Sequence, residues 1–158
     1  AKVLQGHGPR HMAFSPDGQY AFCANELAST VTAFHYTYGR LSPLETVSTL
    51  PDGFHGESYA AAIRLSPDGR YLYCSNRGHD SIGCFAQNSG RLQLLNTVPC
   101  GGSWPRDFQI TPDGRFIVCA NEYENNAVIF SVHDGQLERT GEAIDMKSPL
   151  CVVFDEVK

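Results

Sequence analysis

Apolar and polar positions alternate with period two over short stretches bounded by Gly, Pro, Asp or Asn, and the pattern returns three times. Each unit opens on an inner strand: His11-Met12-Ala13-Phe14, Ala62-Ile63-Arg64-Leu65 or Asp107-Phe108-Gln109-Ile110. A turn follows, Ser15-Pro16-Asp17-Gly18, Ser66-Pro67-Asp68-Gly69 or Thr111-Pro112-Asp113-Gly114. Pro presets φ for the first corner, Asp caps, and Gly takes the positive φ that reverses the chain. A second strand is predicted over 20–24, 71–75 and 116–120; it is apolar on both faces, so something must cover both. A third runs over 31–36, 82–87 and 127–133, and a more polar fourth starts at Leu41, Leu92 or Leu137.

The units keep register. Counting from the turn Pro, Cys23, Cys74 and Cys119 fall seven later, and Asn25, Asn76 and Asn121 nine later. Phe34, Phe85 and Phe130 follow at eighteen, Gly39, Gly90 and Gly135 at twenty-three, and Leu41, Leu92 and Leu137 at twenty-five. The copies are 51 and 45 residues apart (16→67, 67→112), and the difference is a loop from Leu50 to Glu57. A repeat of this period means stacked units. The predicted fold class is all-β: a β-propeller fragment of three four-stranded antiparallel blades, at about 8–50, 58–100 and 104–146, plus one extra strand at about 150–155 (Cys151-Val152-Val153-Phe154). Three blades leave two end faces open. About six wet side chains per face, at roughly 1.5–3 kcal/mol each, cost on the order of 10 kcal/mol, which rivals a domain's stability. Missing blades or a second copy of the chain are therefore expected to cover them.

Composition narrows the partners. Twelve basic against seventeen acidic side chains give a net charge of −5, with no basic stripe, so nucleic acid is not expected. No apolar run reaches the roughly 18 residues that cross a bilayer, so neither a membrane span nor a secretory leader is expected. Three of the six Cys share one strand position, where a small buried side chain goes, so reduced thiols and a cytoplasmic setting are expected. The His and Cys lack CxxC or HExxH spacing, so neither metal nor other cofactor is expected.

In a hairpin, residues equidistant from the turn face each other. Arg10 and Glu26 lie six before and ten after Pro16; Arg106 and Glu122 hold these places around Pro112, and Ala61 and Arg77 around Pro67. The count makes each a near cross-strand pair at the end remote from the turn, so charges gather at one rim, with His11 beside Arg10. As structure, the Arg–Glu pairs are cross-strand ion pairs. A purely structural pair would recur in every blade, and the middle blade breaks the recurrence. Guanidiniums converging at a propeller mouth suit an anionic small-molecule substrate, and a carboxylate among them orients or deprotonates a water. The loop carrying His55 and Glu57 is expected to overhang this rim. His79-Asp80 reads as a tight turn stabilised by Asp80, and the recurring Asn25, Asn76 and Asn121 as loop-closing residues.

At Gly8-Pro9-Arg10-His11, Asn25-Glu26-Leu27, Ser75-Asn76-Arg77-Gly78-His79-Asp80-Ser81-Ile82 and Gly101-Gly102-Ser103-Trp104-Pro105-Arg106 the sequence resembles the lactonase family of seven-bladed β-propellers. That family includes 6-phosphogluconolactonases of the propeller type and a carboxy-cis,cis-muconate cyclase. The likeness covers essentially the whole chain and looks like the C-terminal blades. It implies Arg10 and Glu26 as active-site residues and Arg77 and Arg106 as anion contacts; for lactone opening Glu26 or His11 is the expected base, with His79 a further expected substrate contact. Where the family usually carries Ala-Glu-Ile, this sequence reads Ala61-Ala62-Ile63, so the second blade brings no carboxylate there. The resemblance implies the C-terminal part of a sugar lactonase opening an anionic lactone such as 6-phosphogluconolactone, with little turnover in these blades alone. The alternatives are a carboxymuconate-type cycloisomerase and a non-catalytic propeller used as a binding platform.

Overall fold

The computed structural model describes residues 2–155 and contains three four-stranded antiparallel sheets. Blade one comprises β1 (Pro9–Phe14), β2 (Tyr20–Asn25), β3 (Thr30–Thr37) and β4 (Arg40–Ser48). Blade two comprises β5 (Tyr59–Leu65), β6 (Tyr71–Arg77), β7 (Ser81–Asn88) and β8 (Arg91–Pro99). Blade three comprises β9 (Pro105–Ile110), β10 (Phe116–Asn121), β11 (Asn126–His133) and β12 (Gln136–Asp145). A single 3-10 turn, Glu26–Ala28, follows β2. Strand order within each sheet follows the chain, and β5 lies beside β1 and β2 as β9 lies beside β5 and β6. The innermost strands thus line a common axis, as in a propeller.

The turns at one end of the blades repeat in atomic detail. The hydroxyls of Ser15, Ser66 and Thr111 donate to Asp17, Asp68 and Asp113 at 2.5, 2.6 and 2.6 Å. The same oxygens accept the N–H of Tyr20, Tyr71 and Phe116 at 2.9, 3.0 and 3.0 Å. Gly18, Gly69 and Gly114 take φ of 68°, 72° and 74°, which a side chain resists.

Alternation along the second strand divides its side chains between neighbouring blades. Phe22 packs toward Leu72, Cys74 and Phe85 of blade two, and Tyr73 packs toward Phe108, Ile117 and Cys119 of blade three. The repeated Cys is the small residue that lets these faces close: Cys74 and Cys119 are fully buried and Cys23 nearly so. All six cysteines are free, and burial pushes the thiols of Cys74, Cys84 and Cys100 up to about 12.

Two expectations need correction. The segment 150–155 forms no strand, because no strand among the described residues pairs with it; the Val152 N–H donates instead to Asp107 Oδ2 at 3.0 Å. The outer face of blade one is also drier than three bare blades imply. Ala21, Cys23 and Phe34 are buried there because Val3 and Leu41 pack over them, leaving Met12 and Phe14 about half exposed.

Candidate functional site

The hairpin count misses one feature of the rim. In each blade the inner pairing slips by one residue just before the rim, so that two residues of β1, Arg10 and His11, stand opposite Ala24 between the pairs Pro9↔Asn25 and Met12↔Cys23. Ala61 and Ala62 stand likewise opposite Ser75, and Arg106 is left unpaired between Pro105↔Asn121 and Asp107↔Ala120. Such bulges re-aim a side chain and recur beside active sites. The expected pairing of Ala61 with Arg77 is accordingly corrected: Arg77 pairs with Tyr59.

The bulge changes who meets whom. Arg10 Nε stands 4.0 Å from Glu26 Oε2, the outer limit of an ion pair, and its Nη1 donates across to Ala61 O of blade two at 3.0 Å. Glu26 makes its closer bond to Arg77 Nη2, also across the blade boundary. Arg77 donates in addition to Tyr59 O at 3.4 Å, and its side chain is 7% exposed. Arg106 stays within its own blade, 3.3 Å from Glu122 Oε2. Arg10 is pushed below the ordinary guanidinium value by burial first and then by the charge of Arg77; Arg106 adds to this and Glu26 opposes it. Three guanidiniums and a bridging carboxylate therefore share one electrostatic neighbourhood.

His11 lies against Arg10, whose Nη1 is 3.1 Å from Nδ1 and 3.2 Å from Nε2. Burial, then Arg10, then Arg64 lower its pKa, so at neutral pH the imidazole is the unprotonated base. His79 is engaged differently. Its Nδ1 is 2.7 Å from Ser81 Oγ and its ring meets Phe54 edge-on at 4.6 Å. The 50–57 loop does lie on the rim loop, through Phe54 on His79 and Glu57 O against Gly78. Asp80 accepts from Gly78 N at 3.1 Å, closing the turn, and Asn76 bonds Thr49 and Ser81 to close the loop after β6.

Sequence reasoning passed over Arg64 and Asp107, joined at 2.9 Å across blades two and three, and the aromatic group Tyr59, Trp104 and Tyr123. Asp107 had a signal: it occupies the repeat position of His11 and Ala62. A cleft of about 230 Å³ lies at the opposite end, between the turns of blades two and three. Its Asp68 and Asp113 are held by turn hydrogen bonds to Ser66 and Thr111. Among the described residues no three His, Cys, Asp or Glu come together as a metal site. Nor is any described helix long and apolar enough to cross a membrane.

Blades stacked about an axis, with Arg10, Arg77 and Arg106 paired to carboxylates at one rim, define an arc of a β-propeller. The profile of the family described as "Lactonase, 7-bladed beta-propeller" matches residues 1–154, and the chain belongs to that family. It is 45% identical over 107 residues to the 6-phosphogluconolactonase of Bacillus subtilis, a match covering 65% of this chain and 31% of that protein. Among solved structures it superimposes on a Lactobacillus plantarum protein with a TM-score of 0.92 at 37% identity, covering 96% of this chain and 46% of the other. The periplasmic gluconolactonase of Pseudomonas aeruginosa superimposes with a TM-score of 0.90 at 36% identity, covering 94% and 43%. The chain thus spans about a third of the length of the curated relatives it matches.

Proposed function

We propose that these blades form part of the ring of a sugar lactonase and bind an anionic lactone, such as 6-phosphogluconolactone, over the rim of Arg10, Glu26 and Arg77. One observation carries the reading: Glu26 bridges guanidiniums of two blades, and Arg106 stands within electrostatic reach of Arg10. Guanidiniums already held in place by carboxylates at one rim suit bidentate contact with the carboxylate or phosphate of a ligand.

Ring opening needs a water made nucleophilic and donors for the oxygen that gains charge. His11, unprotonated at neutral pH, takes the proton as the water oxygen adds to the lactone carbonyl. Arg10 donates to the developing oxyanion. The ring C–O bond then breaks, and the alkoxide leaving group recovers the proton from His11. Glu26, with one oxygen on each arginine, orients both cations and is the weaker candidate for the base. Arg106, 37% exposed and tied at 3.3 Å to Glu122 of its own blade, is free to turn to the substrate's phosphate or carboxylate. Free, mostly buried thiols support a reducing, cytoplasmic setting.

The test is hydrolysis of 6-phosphogluconolactone, followed as acid release, by the full-length protein that carries this sequence. Arg10→Ala should lower kcat/KM by about 10²–10³-fold. A rate unchanged in that variant would place the chemistry elsewhere.

A further inference from the structure

Trp104 is the only tryptophan of the chain, and its backbone holds φ at +65°, a costly conformation for a bulky side chain. Asp80, from the rim loop of the preceding blade, accepts the Trp104 N–H at 2.8 Å and helps to hold it there. The indole is then the centre of a group. Tyr123 stacks on it with centroids 4.8 Å apart and planes 14° from parallel, Tyr59 stands tilted at 6.1 Å, and the Arg77 guanidinium lies over it at 5.4 Å.

Core packing does not account for the outer member of this group. Tyr123 is 62% exposed, so with Trp104 against one face the other is open to solvent. It directly follows Glu122, the partner of Arg106, and so stands beside the cations assigned to the substrate. A flat apolar surface next to fixed charges is what a sugar-derived ligand requires: the charges take its anion, and the ring takes the face where its C–H groups point.

We propose that Tyr123, backed by Trp104, is the wall on which the sugar ring of the lactone stacks, a specificity element for sugar lactones over acyclic anions. This rests on the sugar-lactonase reading above. The competing role is mechanical, with the stack serving only to steady Arg77.

The full-length protein carrying this sequence is assayed with 6-phosphogluconolactone and with gluconolactone, which lacks the phosphate. Tyr123→Ala should raise KM, and lower kcat/KM by the same factor, about three- to tenfold for both lactones, and Tyr123→Phe should restore the wild-type value. A penalty shared by both substrates is the mark of contact with the ring. A penalty confined to the phosphorylated lactone would assign the stack to Arg77 and overturn the proposal, as would an unchanged KM for both. If the wild-type protein hydrolyses neither lactone, the lactonase reading falls by itself and the wall is read by binding. Trp104 emission, taken as the difference from Trp104→Phe, is then followed during titration with glucose 6-phosphate, whose ring is closed. A saturable change abolished by Tyr123→Ala upholds the wall; no change overturns it.

Discussion

The two ends of each blade obey different rules. At the turn end, three copies repeat hydroxyl, carboxylate, backbone donor and glycine within about a tenth of an ångström. At the rim end, the equivalent positions read Arg10 and Glu26, Ala61 and Arg77, Arg106 and Glu122. The wiring differs too, since Glu26 reaches into the next blade while Glu122 stays in its own. Repetition marks what every blade needs in order to fold. Departure from it marks what only the assembled arc needs, and that is where chemistry is to be sought.

The sharpest challenge to this division is a repeated residue at the variable end. Asn76 is fully buried, accepts from Thr49 Oγ1 at 2.6 Å, and donates to Thr49 O and Ser81 Oγ at 3.0 and 3.1 Å. If repetition means folding, Asn76→Ala should cost about 2–3 kcal/mol in urea unfolding, because it strands buried partners. A loss below about 0.5 kcal/mol would break the rule.

Next come the two carboxylates. Glu26→Ala leaves Arg77, 7% exposed, without its ion-pair partner, whereas Glu122→Ala leaves Arg106, 37% exposed, in reach of water. Because Glu26 is itself one-third exposed, its loss is discounted to about 1–2 kcal/mol, and that of Glu122 to about 0.5 kcal/mol or less. Equal losses in chemical unfolding would show that crossing the blade boundary carries no special weight.

Legibility from sequence follows the same line. The blades could be read because their determinants are local: Pro, Asp and Gly within four residues make the turn, and Cys, Asn and Phe hold fixed offsets from it. The rim could be read only to the level of which end it occupies. A one-residue bulge leaves no trace in a count from the turn, so the count sets Arg10 opposite Glu26, while the structure carries its Nη1 across the blade boundary to Ala61 O. The Arg77–Glu26 contact joins residues 51 apart, with no local signal. Cys151-Val152-Val153-Phe154 has a strand's composition, but a ladder also needs a neighbour, and composition does not supply one. Tyr123 was passed over because an exposed aromatic in a loop reads as surface until its ring is seen lying on Trp104.

The smallest expected effect separates the two ends by pH. Thr111 Oγ1, the Arg115 N–H and the Arg115 guanidinium hold the Asp113 carboxyl down at about 2, against an ordinary value of 3.8. Asp68 also reaches about 2, although burial pushes it upward, because Ser66 and Arg70 bind the ionised form. Asp17 is lowered by the Ser15 hydroxyl and the Gln19 N–H. Each pKa is depressed by folding, so the unfolded chain binds more protons between the two values. The stabilisation is complete above about pH 4 and is lost as pH falls through about 2. The rim works in the same sense in a different window: with His11 depressed below 6.5, its contribution is full above that value and declines as pH falls through the folded pKa. Thermal midpoints measured from pH 7 to 2 should therefore descend in two limbs. Changing Asp17, Asp68 and Asp113 together to Asn should flatten the lower limb and leave the upper one, while His11→Gln should do the reverse. These carboxylates are largely exposed, so the lower limb is shallow. Its persistence in the triple variant would mean that the repeated turns do not hold their charge.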